Sequence, residues 1–442
     1  METELRRRAE ARGLDVGSSL PEGATSWAAC LLKRDRRDAQ LRQAPLAVGR
    51  YHIMFLDKGG RLLTCGSNLA GHVLGYAADP AANLYGLFEI GPPTPVPVPS
   101  MQDMRLVSVA TGDYHCLALS ADSEVYSWGN NDFSTLGHGD LDDKAVPSKI
   151  ESLSRIERIV AGLNKSAAVD ENGRLFTWGS ALFGGLEEDE AGPYGLGYVL
   201  DAETESQATP KQVDALSQDR VVGLALGHGF NLVVTDAGAV YSFGFGLRGG
   251  GLGHGSLERE VLPRRIEALA RTRRRFVAVA AGYCHALALT ENGELYGWGD
   301  EEANGHGREE RTPQRVGALI GQRIKLVYAL DHASCAVTEK GELFTWGESY
   351  AAAEGDELLD ENSLGHVGPQ GMPKRVAGLS GVEVAAVTVG GVCTIAADTD
   401  GVVWEVGYRL ALGLGASGPE DGADVPTHTP IHALRVRVLN SP

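Results

Sequence analysis

The sequence predicts an all-β protein: a seven-bladed β-propeller of four-stranded blades, the ring closed by the chain termini. Three observations carry that expectation. Glycine is in excess, a glycine and tryptophan pattern recurs seven times, and every copy reads as short alternating strands.

The chain has 442 residues, 58 of them glycine. That is roughly 13%, against about 7% in ordinary proteins, and no collagen-like triplet accompanies it. With 43% hydrophobic residues the chain can bury a core, so the glycines imply many tight turns rather than disorder.

The repeat shows when the chain is aligned on Trp298-Gly299. The same place is taken by Cys65, Trp128, Trp178, Phe243, Trp346 and Val406, each followed by glycine. Successive copies lie 48 to 65 residues apart. Five residues earlier stands Gly60, Ser123, Gly173, Gly238, Gly293, Gly341 or Gly401, and sixteen residues earlier Gly49, Gly112, Gly162, Gly227, Gly282, Leu330 or Gly390. A period of this length signals repeated supersecondary units.

Within one unit, "FVAVAAG", "HALALT" and "ELYGWG" alternate apolar positions and break at glycines, as short strands do. The "ENG" between the second and third runs is a two-residue hairpin signal. Two residues before the Trp position lies a second bulky column: Leu63, Tyr126, Phe176, Tyr241, Tyr296, Phe344 and Trp404. A spacing of two puts both columns on one strand face. In the seventh unit the tryptophan has moved to the second column while Val406 takes the first, preserving bulk. Ala110, Ala161, Ala225, Ala280 and Ala281 in the first strands suit a crowded axis. Runs such as "PSKIESL", "PRRIEAL" and "PQRVGAL" read as a proline-led outer strand.

Residues 1–44 are expected to be an N-terminal extension, a tail or short helix that could supply a closing strand through "SWAACLLKRD". Residues 45–442 are expected to form the propeller. The C-terminal "ALRVRVLNSP" alternates apolar and basic residues and is expected to add a strand beside blade one, so that both ends share the closure. "PPTPVPVP" at 92–99 reads as a stiff linker between the first two blades.

Units of the form "GYCHALALTENGELYGWG" followed by "GHG" resemble the regulator of chromosome condensation repeat family, over about residues 45 to 436. The resemblance implies the propeller. It also implies a choice of roles, since such propellers serve as guanine-nucleotide exchange factors for Ran-type GTPases, as the plant UV-B photoreceptor and as interaction modules. This chain departs from the pattern in the histidine column thirteen residues before the Trp position. His52, His115 and His285 keep it, while Lys165, Phe230, Ala333 and Cys393 replace it. His332 sits one place out of register in unit six.

The turn after strand one and the loop after strand three share a face, and the latter loops are acidic. One acidic face is therefore expected, with partner-binding candidates Glu187, Glu188, Asp189, Glu190, Tyr194, Asp300, Glu301, Glu302, Tyr350, Glu357, Asp360 and Glu361. The exchange factors of the family use an inserted wedge and acidic residues on one face. Candidate segments here are 186–198 and 350–364, neither with a residue-level match to a wedge motif. The opposite face is expected to be mixed, with a basic sector at Arg271, Arg273, Arg274 and Arg275.

Several function classes are disfavoured. A formal net charge of −18 opposes general nucleic-acid binding. The twelve histidines are spread around the ring, and His138, His254 and His306 fall in different blades. No catalytic residue, metal site or cofactor is therefore expected. Light capture needs tryptophans beyond the packing ones, and only Trp27 is spare. "GFGLRGGGLGHG" at 244–255 lacks the Lys-Ser/Thr of a phosphate loop. The cysteines have no metal-ligand spacing and mostly sit in apolar runs, so reduced thiols and a cytoplasmic or nuclear location are expected. Glu2, Glu4 and Glu10 weaken a mitochondrial-targeting reading of the N-terminal arginines. No apolar run approaches a membrane span. The expected protein is a monomeric, non-enzymatic scaffold or regulator that binds a partner protein through its long loops. The alternative is an exchange factor for a Ran-type small GTPase.

Overall fold

The computed structural model describes residues 45–49, 52–66, 68, 72–76, 95–180, 195–200, 205–246, 249–348, 364, 370–390, 393–407 and 429–435. Seven four-stranded antiparallel sheets follow one another along the chain, each made of four consecutive strands. In blade five these are Phe276–Ala281, His285–Thr290, Leu295–Gly299 and Glu310–Arg315. The glycine-bounded runs of the sequence become the strands, and the registers His285↔Gly299 and Leu289↔Leu295 follow from the tight turn between the second and third.

The core lies between sheets. Phe230, Leu232 and Val234 of blade four pack with Phe276, Val279, Tyr296 and Trp298 of blade five in one buried cluster. Trp128, Trp178, Trp298 and Trp346 are fully buried. Each indole Nε1 donates to a loop carbonyl of the preceding blade: Val73, Thr135, Gly251 and Ala303, at 2.7–2.9 Å. A buried indole N–H needs such a partner, so one side chain supplies both packing and a fixed blade-to-blade polar contact.

Gly299, next to Trp298, has φ of 100°, a region costly for other residues. The third strand also bulges there against the fourth, between Gly297 and Gly299. The pattern Trp-Gly thus combines an interblade wedge with the kink that starts the outward loop.

Of the C-terminal run "ALRVRVLNSP" only the first three residues, 433–435, are described, and residues 436–442 lie outside the described residues. Thr429–Arg435 pairs with Val402–Gly407 inside blade seven and does not add a strand beside blade one. Blades one and seven meet instead through side chains, with Leu46, Val48, Ile53 and Phe55 packed on Ala386, Ile395, Ala397 and Val403. The interface is apolar, like the other blade junctions. The "SWAACLLKRD" stretch lies outside the described residues. The proline-rich run is also more than a linker, because Val96–Pro97 forms the outer strand of blade one.

Every outer strand contains a proline: Pro97, Pro147, Pro210, Pro263, Pro313, Pro373 and Pro430. Proline withholds a backbone donor from an exposed sheet edge and discourages edge-to-edge pairing.

Candidate partner-binding faces

The first strands end at glycines that crowd the axis. At Gly282 a methyl group would collide with the His285 ring and lie 2.6 Å from the Asp331 carbonyl oxygen of the next blade. Gly282→Ala is expected to destabilise the protein by about 1–3 kcal/mol through overpacking, read as a lowered urea midpoint. An unchanged midpoint would show that the axis can relax.

The repeat histidines use that space. His115 Nε2 lies 2.8 Å from Ser166 Oγ of the next blade, and Ser166 Oγ donates its hydrogen to the Thr135 carbonyl. The histidine must therefore carry its hydrogen on Nε2. His285 does the same to Ser334, which donates to the Ala303 carbonyl. Burial pushes the imidazoles down, His52 to about 4 and His115 and His285 to about 3, so they stay neutral and tie blades together. His138 and His254 meet Ser127 and Ser242 of their own blades at 2.9 Å. The "GHG" loops containing them reach the next blade's outer strand through Gly139 to Ala208 and Gly255 to Arg311 backbone bonds.

Cys65, Cys116, Cys284 and Cys335 form no disulfide and are buried. Burial, then the charge of Glu405, pushes Cys65 up to about 12, and burial raises Cys116 and Cys335 as well. Thiols held protonated are poor nucleophiles. Among the described residues no group of three or more His, Cys, Asp or Glu is arranged to hold a metal ion.

The registers put the strand one to two turn and the loop after strand three on one face. Asp300, Glu301 and Glu302 stand there. Glu302 Oε2 is 3.1 Å from His332 Nδ1. Burial, and then the charges of Glu348 and Asp300, push the Glu302 carboxyl above the usual carboxylate range. Glu187, Glu188, Asp189, Glu190, Tyr194, Tyr350, Glu357, Asp360 and Glu361 lie outside the described residues.

Next to these carboxylates the axial mouth is lined by Gly112, Gly162, Gly227 and Gly282 together with Asp113, His228 and Asp331. His228 Nε2 meets Asp331 Oδ1 at 2.7 Å, spanning from blade four to blade six. Tyr283 sits between, edge-on to His228 at 4.5 Å and stacked on His332 at 4.9 Å. Asp331 has φ of 46°, a conformation uncommon outside glycine and asparagine-like residues. Sequence reading did not select His228, Tyr283 or Asp331. A signal existed: unit six breaks the repeat at Leu330 and His332, and a unit that abandons a structural rule invites a functional question.

The basic sector lies on the opposite face, at the end of a short helix, Glu267–Arg271, and the start of blade five. Arg274 pairs with Glu294 at 3.0 Å and Arg275 with Glu291 at 3.6 Å. Glu171 and Glu339 of the hairpin turns pair likewise with Arg155 and Arg323. No ion pair joins Arg271 or Arg273 to a carboxylate among the described residues. Acid and base on this face thus largely answer each other, as its mixed character requires.

The fold and its two unlike faces define a closed, repeat-built propeller suited to binding. Profiles of the regulator of chromosome condensation (RCC1) repeat match residues 122–169 and 237–289, and a second profile of that repeat matches 106–134 and 276–308. The chain belongs to the RCC1 repeat family. It is 36% identical over 209 residues to the ultraviolet-B receptor UVR8 of Arabidopsis thaliana, covering 47% of this chain and 44% of the receptor. It is 33% identical over 412 residues to human E3 ubiquitin-protein ligase HERC2, covering 91% of this chain and 8% of the ligase. The chain therefore spans less than half of either relative. Among solved structures, Prp20p of Saccharomyces cerevisiae, studied for its binding to Gsp1p and histones, superposes with a TM-score of 0.65 at 23% identity, covering 90% of this chain and 88% of Prp20p.

Proposed function

We propose that the protein is a non-enzymatic interaction propeller that binds a partner protein on its acidic face. The observation that carries this reading is the carboxylate group Asp300, Glu302 and Glu348 beside the axial mouth, where burial, and then the charges of Glu348 and Asp300, hold Glu302 above its ordinary range. Crowded carboxylates of this kind gain stability when a cationic group of a partner arrives between them. The buried tryptophans, each committed to a carbonyl of the preceding blade, count against light sensing.

The test is affinity capture with the wild type and with Asp300→Asn/Glu302→Gln/Glu348→Gln. A folded variant is expected to lose the co-purifying partner by about tenfold or more, since close charge pairs at interfaces are worth several kcal/mol. An unchanged partner would remove this face from the reading.

A second reading is exchange activity on a Ran-type GTPase, supported by the RCC1 repeats of the chain; Prp20p, which shares the fold, has been studied for its binding to Gsp1p. Release of a fluorescent nucleotide from such a GTPase checks it. No acceleration at micromolar protein would leave the scaffold reading alone.

A further inference from the structure

We propose that the face opposite the acidic loops carries a second binding surface, an arc of arginines that receives an extended acidic segment of a partner protein. The residue immediately before the first strand is Arg105, Arg155, Arg220, Arg275 and Arg323 in blades two to six. All five are exposed. Blade seven has Glu383 in that place, so the arc has an end.

The backbone holds each arginine the same way. Its carbonyl accepts from the hairpin of its own blade, as Asp236 N–H donates to Arg220 at 2.8 Å and Glu291 N–H to Arg275 at 2.9 Å. The next residue donates to the hairpin of the preceding blade, as Val221 does to Gly173 and Phe276 to Gly238. The stems are held too. A side chain on Gly173 would collide with Arg220 Cγ, and one on Gly238 would lie 2.6 Å from Arg275 Cγ. Five guanidinium groups are thus presented at a repeated place on rigid strand starts, which lowers the entropy cost of binding.

Their neutralisation is incomplete. Arg155, Arg275 and Arg323 pair with Glu171, Glu291 and Glu339 at 2.9–3.6 Å. These pairs are exposed and readily exchanged. Among the described residues Arg105 and Arg220 have no carboxylate partner, and the hairpin residue of blade two is Ala121 where blades three to six have Glu171, Asp236, Glu291 and Glu339. Guanidinium forks match carboxylates two hydrogen bonds at a time.

The shape selects among anions. A nucleic-acid duplex is stiff over about 150 base pairs and meets a curved row tangentially, touching few of its arginines at once. An extended peptide bends with the ring and places one carboxylate at a time.

The experiment is fluorescence anisotropy of a labelled poly-glutamate peptide of about twelve residues, which extended at about 3.3 Å per residue reaches across several blades. Wild-type protein is expected to bind it in a salt-sensitive manner. Arg105→Gln/Arg220→Gln/Arg275→Gln keeps the stems that touch the glycines and is expected to bind about tenfold more weakly or worse. The single variant Arg220→Gln should show a smaller loss and guards against misfolding of the triple variant, which circular dichroism checks. Equal binding by folded variants would overturn the proposal, as would no binding by wild type or preference for a labelled duplex over the peptide. Asp300→Asn/Glu302→Gln/Glu348→Gln should leave peptide binding intact, so the two faces fail or stand separately.

Discussion

Trp298→Ala is expected to destabilise the protein by about 3–5 kcal/mol, the range for deleting a buried large aromatic, read as a lower urea midpoint at unchanged slope. The loss has two parts. The indole fills the junction of blades four and five, and its N–H satisfies the Gly251 carbonyl at 2.8 Å. Trp298→Phe separates them: most apolar bulk stays, the carbonyl loses its donor, and about 1–3 kcal/mol should go. The molecule already holds the remedy. Blade four has Phe243 at this position, and Asn231, its cross-strand partner, donates to the Gly195 carbonyl at 2.6 Å. The residue opposite Trp298 is Ala286. Trp298→Phe/Ala286→Asn should therefore recover part of what Trp298→Phe loses. No recovery would mean that the wedge is apolar packing alone and that the aligned hydrogen bonds contribute little.

The same comparison shows why the fold was legible and the site less so. Strand positions, blade number and the packing role of Trp128 and Trp178 follow from columns repeated seven times, because each blade junction imposes the same steric demand. Alternation identifies a strand but not its neighbour: Thr429–Arg435 completes its own blade, and residues 436–442 of "ALRVRVLNSP" lie outside the described residues. Site residues are singular by nature. His228, Tyr283 and Asp331 come together only because three consecutive blades converge on the axis, a relation that no stretch of sequence displays. The arginines before the first strands are legible in principle, since Arg105 and Arg220 align with Arg275, but each stands alone in its blade whereas the run "RTRRR" concentrates charge in one. The candidates at 187–194 and 350–361 fall outside the described residues and stand as sequence readings.

Lys165 makes the second large prediction. It occupies the histidine column of blade three, is 2% exposed, and places Nζ 3.2 Å from the His228 carbonyl of blade four. One neutral carbonyl does not replace the hydration of an ammonium ion, and burial pushes this amine down to about 7. In the unfolded chain it titrates near 10.4. Between about pH 7 and pH 10 the unfolded chain binds a proton that the folded chain does not, so this group makes stability rise with pH across that window. Below about 7 both states are protonated and the full burial cost persists, on the order of 4–5 kcal/mol at 1.36 kcal/mol per unit of pKa. Lys165→Met removes the charge and keeps the stem. Its stability advantage over wild type should be greatest at pH 6–7 and shrink steadily toward pH 10, with urea midpoints taken in parallel so that other titrations cancel. An advantage constant with pH would mean that the amine stays protonated in the fold and that the axis between blades three and four admits water. A shrinking one would show that the junction of blades three and four carries the cost of a buried charge at neutral pH.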